Sequence, residues 1–255
     1  MSRFAAIYLW DLMQGLGNRF LQVFALACVL GGTALLAASP GRETLPLVLI
    51  QAVLFFGSLF ATLAGWGSGQ QARAEGPMLF AQPLGAGELL AGKLAGTGTW
   101  CLLLLVLFMG PAAAAAGLPG TIAALAALAV GLMLVCVLAG LIIGLLATPV
   151  TGLLAVLLAW AVAVAGWELA LLVLSEAAWL EQSPGLFVAL LLINPAGVFR
   201  VGAMLGLEAV PFDAAELETA RFIFEHIWLT AAAVFALWLA LLGVVGRWAV
   251  ARQEF

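Results

Sequence analysis

Gly87-Glu88-Leu89-Leu90-Ala91-Gly92-Lys93 is the stretch of this chain that comes nearest to a catalytic motif. It fits G-x-x-x-x-G-K, the start of the loop with which nucleotide-binding proteins cradle phosphates. Such a loop needs Ser or Thr directly after the lysine to ligate Mg²⁺, and a strand leading into its glycines. Here Leu94 follows Lys93, no strand pattern precedes Gly87, and no acidic strand end follows to complete a metal site. In a chain with 29 glycines the match is easily met by chance. The chain is therefore expected to bind no ATP and to carry no catalytic residue.

Other chemistry-bearing residues are sparse. Glu168 is the one acid well inside an apolar run, and an ionisable group in that setting is costly enough to mark function. His226 is the only histidine, so a two-histidine metal or protease site is ruled out. Met13, Met78, Met109, Met133 and Met204 are scattered without ligand spacing. Cys28, Cys101 and Cys136 are widely separated within apolar runs, which suits packing rather than a disulfide framework or a metal site. No metal site is expected.

Composition decides what must hold these residues. Of 255 residues, 65% are hydrophobic and 9% charged, against about 25% charged in a soluble domain. So few charges cannot cover a water-facing surface, so the chain belongs in a bilayer, with membrane lipid as its solvent. A net charge of −4 without a basic stripe argues against nucleic acid. The first residues carry no cleavable signal pattern.

About 20 apolar residues in helical form cross a bilayer core. Phe20–Ala38, Pro46–Gly65, Gly96–Ala116, Thr121–Ala147, Val150–Leu174 and His226–Trp248 meet that length, giving an all-α polytopic membrane protein with six transmembrane helices. Leu186–Ile193 is too short to span and reads as interfacial or re-entrant. Pro111–Gly120 reads as a helix end and a tight outer turn. Gly140 and Gly144 form a G-x-x-x-G, which permits close helix approach. Trp160 and Trp238 fall mid-span and read as packing residues. Residues 1–19 form a separate element, an amphipathic interfacial helix with Arg3, Asp11, Gln14 and Asn18 on one stripe, ahead of a transmembrane domain over residues 20–255.

Charge sets the orientation. With both termini cytoplasmic, Arg3, Arg19, Arg73, Lys93, Arg247 and Arg252 lie inside, and Arg42, Arg200 and Arg221 outside. Residues 69–93 then form a cytoplasmic excursion: polar at Gln70, Gln71, Arg73 and Glu75, apolar at Met78-Leu79-Phe80, broken at Pro83, and helical again over Glu88–Lys93. Residues 175–224 face outward with Glu176, Glu181, Glu208, Asp213, Glu216 and Glu218, a surface for a periplasmic partner or a solvated cap. Within it Asn194-Pro195 would cap and restart a short helix.

Glu75-Gly76-Pro77-Met78-Leu79, Gln82-Pro83-Leu84-Gly85 and Gly92-Lys93 together resemble the segment that follows the second crossing in ABC-2 type permeases. The outer Leu191-Leu192-Ile193-Asn194-Pro195-Ala196-Gly197-Val198-Phe199-Arg200 is similar to its counterpart in the NosY-type permeases of nitrous-oxide-reductase maturation. The resemblance implies an ABC-2 (type V exporter-like) permease, working as a homodimer in the bacterial inner membrane. ATP and Mg²⁺ would sit on a separate P-loop ATPase subunit. Arg73, Glu75, Gly76, Met78, Leu79, Pro83 and Lys93 would couple to that ATPase, and Glu168, Asn194, Pro195 and Arg200 would line a pathway or outer gate. A periplasmic partner and a part in metalloenzyme maturation would follow. The rivals are a gradient-driven secondary transporter, which should show paired intramembrane acids and an inverted repeat, and a non-transporting anchor or assembly factor.

Overall fold

The computed structural model describes residues 2–38, 41, 44–75, 85–117, 119–175, 184–206 and 225–252. Among these, every regular element is helical. Six helices are long and apolar enough to cross a membrane: α2 (Arg19–Ala38), α3 (Thr44–Ala74), α4 (Ala86–Ala116), α5 (Pro119–Leu146), α6 (Pro149–Ser175) and α9 (Ile227–Ala251). They are preceded by α1 (Arg3–Gly15), and a bent pair, α7 (Pro184–Ile193) and α8 (Pro195–Gly206), lies between α6 and α9. Each of the six expected crossings has a helix long and apolar enough to span.

Their ends differ from the apolar windows for physical reasons. Backbone hydrogen bonding does not stop where hydrocarbon stops, so α3 runs on to Ala74 and α4 begins at Ala86. At both ends of the expected 69–93 excursion, the described residues 69–74 and 86–93 are helix. Glu88 starts α4 by accepting from the Gly85 N–H at 3.0 Å. Pro111 lies inside α4, which continues to Ala116 and ends at Gly117 in the left-handed region, φ 64°. Pro111–Gly120 is thus helix for most of its length before the turn.

Two spans carry a π turn, at Val53–Gly57 in α3 and Val162–Gly166 in α6. A π turn leaves a carbonyl without its usual partner, and in hydrocarbon that oxygen needs another donor. Ser58 Oγ donates to the Leu54 carbonyl, and Asn194 Nδ2 donates to the Ala163 carbonyl at 2.6 Å.

The α7–α8 pair bends by 109° at Asn194. Its tip reaches the middle of α6 and α9, through Ala163 and Trp238, while Gly202 of α8 lies back beside Ile227, where α9 begins. It enters and leaves on one face, so it is a re-entrant hairpin. Its bare C-terminal carbonyls are met by indole donors: Trp167 Nε1 to Leu190 O at 3.0 Å and Trp238 Nε1 to Ile193 O at 2.8 Å. Trp238 is therefore a hydrogen-bond donor as well as a packing residue. So is mid-span Trp160, which donates to Ser58 Oγ at 2.9 Å.

The core is built on α3 against α5. Gly65 and Gly69 of α3 face Gly140 and Gly144 of α5, letting the two backbones touch. The G-x-x-x-G pattern thus serves packing within this chain.

Candidate functional site

The polar stripe of α1 turns onto the bundle. Asp11 is 3% exposed and Asn18, just past the helix end, 6%, whereas Met13 is 74% exposed on the opposite face of the helix. Asp11 and Gln14 of the expected polar stripe meet protein, Arg3 is exposed, and the helix ends at Gly15, short of Asn18. Ser2 starts it by accepting from the Ala5 N–H at 3.3 Å.

Close approach to α4 is possible because Gly92 and Gly96 lack side chains. A Cβ on Gly92 would sit 2.8 Å from Cβ of Ile7, and one on Gly96 2.8 Å from Cβ of Asp11. Asp11 reaches into that seam and its carboxylate collects three partners. Ser68 Oγ of α3 donates to Oδ1 at 2.8 Å, Thr97 Oγ1 of α4 donates to Oδ2 at 2.8 Å, and Lys93 Nζ lies 3.0 Å from Oδ1. The Lys93 side chain is 1% exposed. Its contact with Asp11 is one of charge rather than an aligned hydrogen bond. Gly92-Lys93 is thus a helix-packing and ion-pairing element, and Lys93 is not on a face that a partner protein could touch.

The ends of the neighbouring helices are tied to the same base. Glu75 accepts from Gln14 Nε2 and, at 3.4 Å, from Trp10 Nε1. Gln70 Nε2 donates to the carbonyls of Gly144 and Ala147 at 2.9 and 2.8 Å, and Arg73 Nη1 to Ala147 at 2.9 Å. These donors cap the end of α5, where four carbonyls have no helical partner and a cation is favoured. Trp100 Nε1 adds a bond to the Leu12 carbonyl at 2.8 Å. Gly76, Met78, Leu79 and Pro83, the rest of the expected coupling set, lie outside the described residues.

The second expected group is drawn together on the re-entrant hairpin. Glu168 of α6 pairs with Arg200 of α8, with side chains 25% and 22% exposed. Asn194 has a double duty at the bend: besides holding Ala163, its Oδ1 accepts from the Ala196 N–H at 3.0 Å, with Pro195 opening α8. The acid that reads as solitary in the sequence has a cationic partner. The acidic residues of 176–183 and 207–224 lie outside the described residues.

These contacts make a latch between α6 and the hairpin. Arg200→Gln is expected to destabilise the fold by about 1–3 kcal/mol, because Glu168 loses its partner in an apolar setting. The swapped pair Glu168→Arg/Arg200→Glu should recover part of that loss. Thermal unfolding in detergent checks this; equal melting of wild type and Arg200→Gln would show that the pair does not latch the hairpin.

The chain matches no protein-family model, and no curated protein matches it by sequence.

Proposed function

We propose that this chain is the transmembrane permease subunit of an ABC transporter of ABC-2 type. In this reading it works as a homodimer in the bacterial inner membrane with both termini cytoplasmic. A separate P-loop ATPase docks on residues 76–84 and hydrolyses ATP with Mg²⁺, and this chain passes the resulting movement across the membrane. The outer segment would meet a periplasmic partner, with maturation of a periplasmic metalloenzyme as the purpose.

One observation carries the reading: the base on which residues 76–84 stand. The helices that bracket them, α3 and α4, are locked to α1 through one buried carboxylate, Asp11. The end of α3 is also tied to the end of α5. A docking segment can convert a push into a rigid-body movement only if its support does not yield. A loop that served solvation alone would need no such anchoring. Glu168 is paired with a cation, Arg200, and not with a second acid of the kind a gradient-driven carrier would use.

The test is capture of the protein from its native membrane into nanodiscs, followed by identification of co-purifying ATPases. Met78→Glu and Leu79→Glu are the informative variants, since Lys93 is buried and its replacement would report on folding. A P-loop ATPase should accompany the wild type and be recovered roughly tenfold less with either variant, as for loss of an apolar anchor. Folded wild type that brings down no ATPase would overturn the reading in favour of a gradient-driven carrier or an anchor.

A further inference from the structure

Half-way along the spans is a cavity of about 430 Å³ that neither the Asp11 cluster nor the Glu168–Arg200 latch fills. Its walls come from α3, α5, α6, α9 and the hairpin tip. The wall segment Trp160–Trp167 is central in α6, and Trp238 and Leu242 are central in α9. The cavity therefore lies where the surroundings of the protein are hydrocarbon.

Most donors among its polar neighbours are already committed to the protein. Ser58 Oγ is committed to the Leu54 carbonyl and accepts from Trp160. Thr62 Oγ1 donates to the Ser58 carbonyl at 2.7 Å. Asn194 is held between Ala163 and Ala196, and the indoles of Trp167 and Trp238 close on the hairpin's own carbonyls. A buried water needs two to four polar partners, so such a space stays dry. Its volume is nevertheless that of a ligand pocket. The rim is open to lipid, with Val162 60% and Ile193 50% exposed.

We propose that this cavity is a binding site for one acyl chain of a membrane lipid, admitted past Val162 and Ile193 and held against the α6 π turn and the hairpin tip. The chemistry is that of a fully apolar ligand of bilayer origin: walls that are almost wholly apolar, with most polar groups satisfied internally, favour hydrocarbon and penalise anything that must hydrogen-bond. Because α3, α5, α6 and α9 surround the space, the chain is held singly rather than as part of the lipid annulus. The site does not depend on the ATPase reading and can be tested on the protein alone.

The experiment uses the full chain in nanodiscs of phosphatidylethanolamine and phosphatidylglycerol, doped with a phospholipid carrying a diazirine midway along one acyl chain. After illumination, labelled peptides are mapped by mass spectrometry. Label should concentrate on Trp160–Trp167 and on Asn194. It should fall by about tenfold in Ala139→Phe, whose ring would fill the cavity from α5. Ala27→Phe, which fills a separate apolar cavity beside Phe24, should leave that label unchanged. Ala163→Leu, a smaller filling, serves if Ala139→Phe does not fold. Label on the cavity walls no stronger than on lipid-facing Leu169 and Val173, or undiminished by a folded filling variant, would overturn the proposal.

Discussion

Replacing Lys93 alone with methionine should cost the folded state about 3–5 kcal/mol, the largest penalty expected of any single side-chain truncation in this chain. The reason is the carboxylate left behind. Asp11 lies almost fully out of solvent, and after the change only the Ser68 and Thr97 hydroxyls would face its negative charge. Asp11→Asn should do comparable harm from the other side by leaving the ammonium buried and unpaired. Removing both charges, as Asp11→Asn/Lys93→Met, should restore most of the stability, because an apolar replacement of a buried pair is often close to neutral. The double-mutant cycle separates this account from simple loss of packing, which would add. Equilibrium unfolding in mixed micelles, followed by far-ultraviolet circular dichroism, gives the four stabilities. A Lys93→Met protein as stable as wild type, or a double variant with the summed loss of both singles, would rule out the ion pair as the anchor of α1. The anchor also has a local readout. When it fails, Trp10 and Gln14 should leave Glu75, and a disulfide between cysteines introduced at Gln14 and Glu75 should form more slowly.

How far this arrangement was legible depends on what each signal is made of. The six spans were plain because apolar runs of that length have few other uses. The short Leu186–Ile193 run was legible as non-spanning for the same reason, but its length left an interfacial and a re-entrant course open, and the contacts of its tip with Ala163 and Trp238 favour the second. The Asp11–Lys93 pair was not legible. Asp11 belonged to a stripe that a surface helix would also show, and Lys93 to a segment read as solvent-facing; only the close α1–α4 seam, made by Gly92 and Gly96, reveals that they meet. Gly140 and Gly144 stood out as a motif, but their partners did not, because Gly69 fell beyond the apolar window of its span while the helix itself continued. Trp160 and Trp238 carried a signal that was available: an indole N–H in hydrocarbon needs an acceptor, and bent or π-turned helices supply bare carbonyls there. Which acceptor each one finds is a matter of tertiary contact and has no trace in local sequence. The same holds for Glu168, whose partner Arg200 sits on an element read as lying outside.

The second large effect is expected at the α3–α5 seam, where Gly140→Ala should already be damaging and Gly140→Leu should leave no folded protein. A Cβ on Gly140 would sit 2.8 Å from the Trp66 backbone nitrogen and closer still to the Thr62 carbonyl oxygen. One on Gly65 would meet the Val137 carbonyl in the same way, and one on Gly144 would lie 2.9 Å from Cα of Gly69. All of these obstacles are backbone, so no side chain can swing aside and the helices themselves must separate. Separation is costly here for a reason special to the bilayer. Lipid is as apolar as the helix faces, so no hydrophobic force pulls them together again, and the loss of close packing is felt directly. Overpacking by one methyl typically costs about 1–3 kcal/mol, and the rigid neighbours put Gly140→Ala at the upper end. Gly243 of α9 supplies the contrast, since nothing lies within 4 Å of a Cβ built there. Gly243→Ala should be neutral or stabilising by up to about 1 kcal/mol, through better helix propensity. Thermal unfolding of the two alanine variants in detergent gives a direct comparison. If they melt together, the glycine seam is not what holds α3 to α5. If Gly140→Ala melts well below Gly243→Ala, combining it with Gly65→Ala should cost less than the sum of the two, because helices already forced apart by the first methyl have made room for the second.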